Sequence, residues 1–290
     1  MRKIVPHFWF HRVAKQAVAH YVSLFENSRV VEETVIPDTP SGDVDYIQFE
    51  LAGQPFEALG AGDEFPMNPA ASLMVTCATE AEVDRLWGAL LPGAEVLMEL
   101  GAYPFSARYG WLNDRFGLSW QVMYAPDAAQ EIKPSLLFAG PACGHAQEAV
   151  QRYADLFPNS GIDLVSRYAQ GEAMVPEAKV NYVGFHLAGQ NFVAMDHGFG
   201  GDFTFNESFS FIVYCEDQSE VDFYWNKLSA VPEAEACGWV KDEFGISWQI
   251  VPTRLEELMR TSGSAQKERV TRALLGMKKI VIADLEKAAQ

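Results

Sequence analysis

Residues 113–123 read NDRFGLSWQVM and residues 241–251 read KDEFGISWQIV, with six of the eleven positions identical. The shared residues are Asp114/Asp242, Phe116/Phe244, Gly117/Gly245, Ser119/Ser247, Trp120/Trp248 and Gln121/Gln249. A Phe-Gly turn leading into an alternating strand, written twice in one chain, signals duplication. The likeness continues outward. PHFWF (6–10) parallels PSLLF (134–138), AVAHYVSLFENS (17–28) parallels AVQRYADLFPNS (149–160), and FELAGQPFEAL (49–59) parallels FHLAGQNFVAM (185–195). SLMVTCATEAEVDRLW (72–87) likewise parallels SFIVYCEDQSEVDFYW (210–225). Copies this long are tandem domains rather than solenoid units. The boundaries they imply are 1–126, 132–255 and a tail, 256–290, outside the repeat. The first copy carries extra residues within 88–110 that the second lacks.

Within a copy, short apolar runs alternate with helical periodicity. Ala17, Val18, Tyr21, Leu24 and Phe25 fall at helical intervals and predict one buried face. The strands around the Ala-Gly-Gln segments predict hairpins. Thr79 stands where the N-cap of a second helix is expected. In the tail, PTRLEELMR and SAQKERVTRALLGMKKIVIADLEKA predict two helices separated by a hinge at Ser262–Ser264. The second would carry a stripe of Val270, Leu274, Met277 and Val281, docked on the repeats or on a second subunit as a homodimer contact.

Hydrophobic residues make up 49% of the 290, enough for well-filled cores. No run is long enough for a membrane helix, and the basic N-terminus lacks the apolar core of a signal peptide, so a cytoplasmic protein is expected. A net charge of −17 argues against nucleic acid and anionic membranes as partners, leaving a small molecule. The four cysteines, Cys77, Cys143, Cys215 and Cys237, have no zinc-like spacing and read as small core residues.

The tandem pattern, the Phe-Gly turn and the closing Trp-Gln strand resemble the vicinal oxygen chelate (glyoxalase/bleomycin-resistance/dioxygenase) superfamily. Within it the chain is most similar to the PhnB-like branch, often labelled 3-demethylubiquinone-9 3-methyltransferase. PHFWF, AVAHYVSLFENS, SEVDFYW, CGWVKDEFGISWQIVPT and ALLGMKKIVIADLEKA carry this resemblance across both copies and the tail. It implies an α+β fold of two tandem βαβββ modules with open, cup-shaped mixed sheets, plus the helical tail. In metal-using members, first and last strands supply a His and a Glu. Those positions map here onto Pro6 and Pro134, and onto Gln121 and Gln249. Proline offers no ligand and an amide is a weak one, so the usual metal set is not expected. His7 is a further metal candidate, although strand alternation places it opposite Pro6.

Other polar residues remain as candidates. Glu50 and His186 occupy matching positions on the face opposite Phe49/Leu51 and Phe185/Leu187, where a general base or metal ligand would face the cup. Asp196 and His197 are adjacent, a pairing able to orient an imidazole. Trp9, Trp111 and Trp239 are expected to line a ligand cavity with Gln121 and Gln249, while Trp120 and Trp248 wedge sheet against helix. The segment EALGAGDEF (57–65) is followed by two prolines rather than a helical pattern, which argues against a methyl-donor loop. Two functions stand open: a small-molecule binder without cofactor, and a metal-dependent enzyme acting on a small oxygenated substrate.

Overall fold

The computed structural model describes residues 2–126 and 128–290. The first repeat runs β1 (Ile4–His11), α1 (Ala14–Leu24), β2 (Arg29–Thr39), β3 (Gly42–Leu51), β4 (Gln54–Ala61), β5 (Ala71–Cys77), α2 (Glu80–Leu90), β6 (Glu95–Tyr103), β7 (Ser106–Asn113) and β8 (Ser119–Tyr124). The second runs β9 (Glu131–Phe138), α3 (Ala146–Leu156), β10 (Gly161–Arg167), β11 (Val180–Leu187), β12 (Gln190–Asp196), β13 (Phe209–Cys215), α4 (Gln218–Leu228), β14 (Trp239–Lys241) and β15 (Ser247–Pro252). The α+β duplication is therefore present, and each repeat passes through the strand–helix–strands pattern twice. The extra residues of the first copy build β6, which has no counterpart in the second.

Local chemistry explains these elements. Thr79 caps α2 with a capping box: its hydroxyl accepts from the Glu82 amide while the Glu82 carboxylate accepts from the Thr79 amide. Ala52 and Gly53 both have positive φ, as do Ala188 and Gly189. Two-residue turns of this hand match the twist of a hairpin, and β3 accordingly pairs with β4, as β11 does with β12.

The strands form two mixed open sheets, each drawing on both repeats. The first sheet has the order β14-β15-β13-β1-β4-β3-β2, the second β10-β11-β12-β9-β5-β8-β7-β6. At the centre of the first, β1 lies antiparallel to β13 and parallel to β4. The same arrangement recurs in the second, where β9 lies antiparallel to β5 and parallel to β12. Helices α1 and α4 pack on the first sheet, α2 and α3 on the second. One continuous apolar core lies between, containing Phe8, Phe49, Phe185, Phe211 and both repeat tryptophans. Cys77 and Cys215 are buried in it, and burial pushes their thiols up to about 11 and about 12. All four cysteines are free.

The quoted turn ties the two layers together. In the first copy Asp114 Oδ1 accepts from the amides of Phe116 (2.8 Å) and Leu118 (3.1 Å), closing the turn on Gly117, whose φ of 91° suits glycine. Its Oδ2 accepts from Trp120 Nε1 (2.9 Å) and from Tyr21 Oη (2.6 Å) on α1, the helix of the other sheet. Asp242 makes the reciprocal knot with Phe244, Ile246, Trp248 and Tyr153. Burial raises both carboxyls while these donors pull them back down. Trp120 and Trp248 are thus the wedges expected of them.

The tail departs from expectation in one place. After α5 (Thr253–Thr261) and the break at Ser262–Gly263, the chain forms α6 (Ser264–Leu275), stops at Gly276, and resumes as α7 (Ile282–Ala288). The single second helix is therefore two: α6 ends at Gly276, whose amide donates to the carbonyls of Ala273 and Leu274, and residues 277–281 are not helical. Val270, Leu274 and Met277 pack with Leu258, Ile280 and Leu285 in a small core of the tail's own, while Val281 lies outside it and is partly exposed. Among the described residues no helix is long and apolar enough to cross a membrane.

Candidate functional site

Each sheet has one face on helices α1–α4; on the opposite face of the first sheet, the tail helix α5 reaches Tyr214 and Gln48 through Glu256. In β1 the residues Ile4, Phe8 and Phe10 enter the core, so Pro6 turns inward with them and His7 and Trp9 turn to the opposite face. This corrects the register expected from sequence: His7, not Pro6, shares a face with Gln249. His7 lies opposite Ser210 on β13 and beside Glu57 on β4, and Ser210 follows the face of Gln249 on β15.

Two polar clusters occupy this face of the first sheet. In one, Gln249 Nε2 donates to Ser210 Oγ (3.0 Å), and Ser210 Oγ stands 3.3 Å from His7 Nδ1. A hydroxyl has one proton and two acceptor sites, so beside the amide bond Ser210 serves either neutral tautomer, donating to a bare Nδ1 or accepting from Nδ1–H. Burial lowers the pKa of His7 to about 3, so the ring is neutral. Trp239 meets His7 edge-on at 5.7 Å and Trp9 at 6.4 Å.

The other cluster centres on Glu57, only 4% exposed. Tyr46 Oη donates to its Oε2, and Tyr214 Oη lies 2.5 Å from its Oε1. Tyr214 Oη also lies 2.6 Å from Oε1 of Glu256, on α5 of the tail, and Gln48 Nε2 donates to the same oxygen at 2.9 Å. A phenol has one proton, so it serves two carboxyl oxygens at these distances only when one carboxyl is itself protonated and donates back. Glu57 is that group. Burial raises its pKa to about 7, the tyrosine hydrogen bonds oppose the rise, and the Glu256 charge adds to it.

The second sheet repeats the scaffold without the ionisable groups. Gln121 Nε2 donates to Ser72 Oγ (2.9 Å) and Ser135 Oγ (3.3 Å), and Tyr109 Oη donates to Gln121 Oε1 (2.7 Å). Ser135 pairs with Val193 as His7 pairs with Glu57. The imidazole and carboxyl of the first sheet are thus a hydroxyl and an isopropyl group in the second. The five residues expected to line one cavity divide accordingly: Trp9, Trp239 and Gln249 on the first sheet, Trp111 and Gln121 on the second.

The remaining candidates lie elsewhere. Glu50 forms an ion pair with Arg29 (3.0 Å), and His186 pairs with Asp163 (3.0 Å), both toward solvent at sheet margins. Asp196 is spent on backbone: its two oxygens accept from the amides of Gly144, Ala146, Lys179 and Val180. The His197 ring lies apart from that carboxyl, against Phe199 and Phe203. Glu57, Tyr46, Tyr214 and Glu256 were not anticipated. The available signal was the strand FEAL, where Glu57 stands against Val193 of the other copy.

A divalent metal requires several converging strong donors. Among the described residues no three His, Cys, Asp or Glu side chains converge, and the amides of Gln121 and Gln249 are engaged by serines. The residues present do not fit the metal set of the superfamily. The segment around Gly60 and Gly62 leads from β4 into strand β5, not into a helix that would bind a methyl donor.

The family model described as 3-demethylubiquinone-9 3-methyltransferase matches residues 2–123 and again 130–251. Among solved structures, a PhnB protein from Bacillus cereus is 36% identical over 43% of this chain and 100% of its own, with a TM-score of 0.40. Glyoxalase I from Zea mays is 10% identical over 89% of this chain and 96% of its own, with a TM-score of 0.53, a likeness of fold. A search of curated proteins gave no match.

Proposed function

We propose, for a chain that belongs to the 3-demethylubiquinone-9 3-methyltransferase family, the PhnB-like branch of the vicinal oxygen chelate superfamily, that it binds a small oxygenated molecule against the face of its first sheet that carries His7 and Glu57. The observation that carries this reading is the buried Glu57 carboxyl, with a pKa of about 7, on the same face as the neutral imidazole of His7. Buried ionisable groups are expensive to keep and concentrate at functional sites. The second sheet, built on the same plan with Ser135 and Val193, shows that the fold does not require them. Trp9 and Trp239 supply apolar surface beside them, and His7 Nε2, with no hydrogen-bond partner among the described residues, is left to meet a polar atom of a ligand. Four free cysteines accord with a reducing, cytoplasmic setting.

A second reading follows from the same carboxyl. A group titrating near neutrality is matched to general acid–base work, so an enzyme that moves a proton on a small oxygenated substrate would use Glu57 as the exchanging group. No step of either reading runs through a metal or a methyl donor. The test is a thermal-shift screen of small oxygenated metabolites on wild type, Glu57→Gln, His7→Ala and, as the second-sheet control, Ser135→Ala. Ligands that stabilise wild type and Ser135→Ala, but not the first two variants, support the reading. Ligands lost only with Ser135→Ala move the site to the other sheet.

A further inference from the structure

Glu256 belongs to the tail, yet its carboxylate takes hydrogen bonds from two donors of the first sheet, Tyr214 Oη at 2.6 Å and Gln48 Nε2 at 2.9 Å. Other contacts also hold α5, among them Thr253 Oγ1 donating to the Cys215 carbonyl of β13. The helix follows directly from β15, Leu258 anchors it in the tail core, and Arg254 joins it to Glu286 at 2.8 Å. Glu256 is partly exposed, in the first turn of α5. When Glu256 leaves, what remains behind is a phenol hydroxyl and an amide N–H aimed at a common point, next to the Glu57 carboxyl. Such a corner binds a carboxylate, since hydrogen bonds to a charged acceptor are the stronger kind. The second sheet has no such corner, because Thr76 and Gly184 stand where the first has Tyr214 and Gln48.

We propose that the Tyr214–Gln48 corner is the subsite for a ligand's carboxylate, and that Glu256 fills it as a displaceable internal substitute. The inference rests on the site proposed above and narrows its ligand to a small carboxylic acid whose body extends along the sheet toward His7 and Trp239. Binding makes and breaks no covalent bond. The ligand carboxylate accepts the two hydrogen bonds that Glu256 releases, and Glu256 is hydrated.

Acetate is the probe, because Glu256→Ala removes a side-chain fragment of acetate's size. Unfolding of the full-length variant and wild type is followed at pH 6, where Glu57 is neutral, in sodium acetate, sodium chloride and acetamide. Acetate is expected to stabilise Glu256→Ala in a saturable way and to bind it about tenfold or more tightly than wild type, because one charged competitor has been removed. Chloride and acetamide should not reproduce the shift, and adding Tyr214→Phe should abolish it. An acetate effect equal to that of chloride, or equal in variant and wild type, overturns the proposal. Should Glu256→Ala not fold, Glu256→Ser carries the same test. Acetate reports on this corner alone, while the metabolite screen on Glu57 and His7 variants reports on the wider site, so either can fail separately.

Discussion

Glu57→Gln separates the neutral form of this side chain from the ionised one while keeping its shape. In wild type the carboxyl has a folded pKa of about 7 against an unfolded value of 4.5. The folded state therefore holds the proton more tightly, so its stabilising effect is complete below pH 4.5 and is lost as pH rises through 7. A displacement of about 2.5 pH units corresponds to about 3 kcal/mol, undiscounted for solvent because the group is buried. Glutamine carries no such penalty: it accepts from Tyr46 and donates toward Tyr214 at every pH. The variant should match wild type within about 1 kcal/mol near pH 4.5 and exceed it by roughly 3 kcal/mol at pH 8. Urea unfolding of both proteins across that range measures the difference. A variant weaker than wild type by the same amount at all pH values would refute the reasoning, since the carboxylate would then be ionised and stabilised throughout.

His7 gives the opposite slope. Its folded pKa of about 3 lies below the unfolded 6.5, so wild type loses about 1.4 kcal/mol per pH unit below 6.5, and His7→Gln should show a shallower acid loss in the same urea series. Tyr21→Phe and Tyr153→Phe each remove a hydrogen bond to a buried carboxylate in matching knots, and each should lower unfolding free energy by about 1.5–3 kcal/mol. Leu258→Ala opens the tail core and should destabilise it by about 2–5 kcal/mol, read as faster proteolysis within residues 253–290. Chelator treatment should leave the unfolding temperature unchanged, given the donor set on this face.

The legible parts of the fold were those written locally. The Asp-Phe-Gly-Ser-Trp turn, the Ala-Gly hairpins and the Thr79 cap depend on neighbours within a few residues, and the duplication displays each of them twice. The pairing of β1 with β13 joins residues some two hundred positions apart, and alternation within each strand does not name its partner. That blind spot displaced the site. Within one repeat the ligand positions of the superfamily fall on the first and last strands, whereas Glu57 lies on the middle strand β4 and meets His7 only through the parallel pairing of β1 with β4. Alternation places His7 opposite Pro6, and the core residues Phe8 and Phe10 decide that the face shared with Gln249 is that of His7. Glu256 was out of reach, since no periodicity in the tail indicates that α5 returns to β3 and β13.

The proposed site rests on a buried carboxyl, Glu57, that titrates near neutrality on the His7 face of the first sheet. Titration of the Glu57 side-chain carbon by NMR, assigned through Glu57→Gln, tests it most directly. The expected midpoint is near 7 and falls in Glu256→Gln, where the neighbouring charge is gone. A midpoint near the 4.5 of an ordinary glutamate would contradict it.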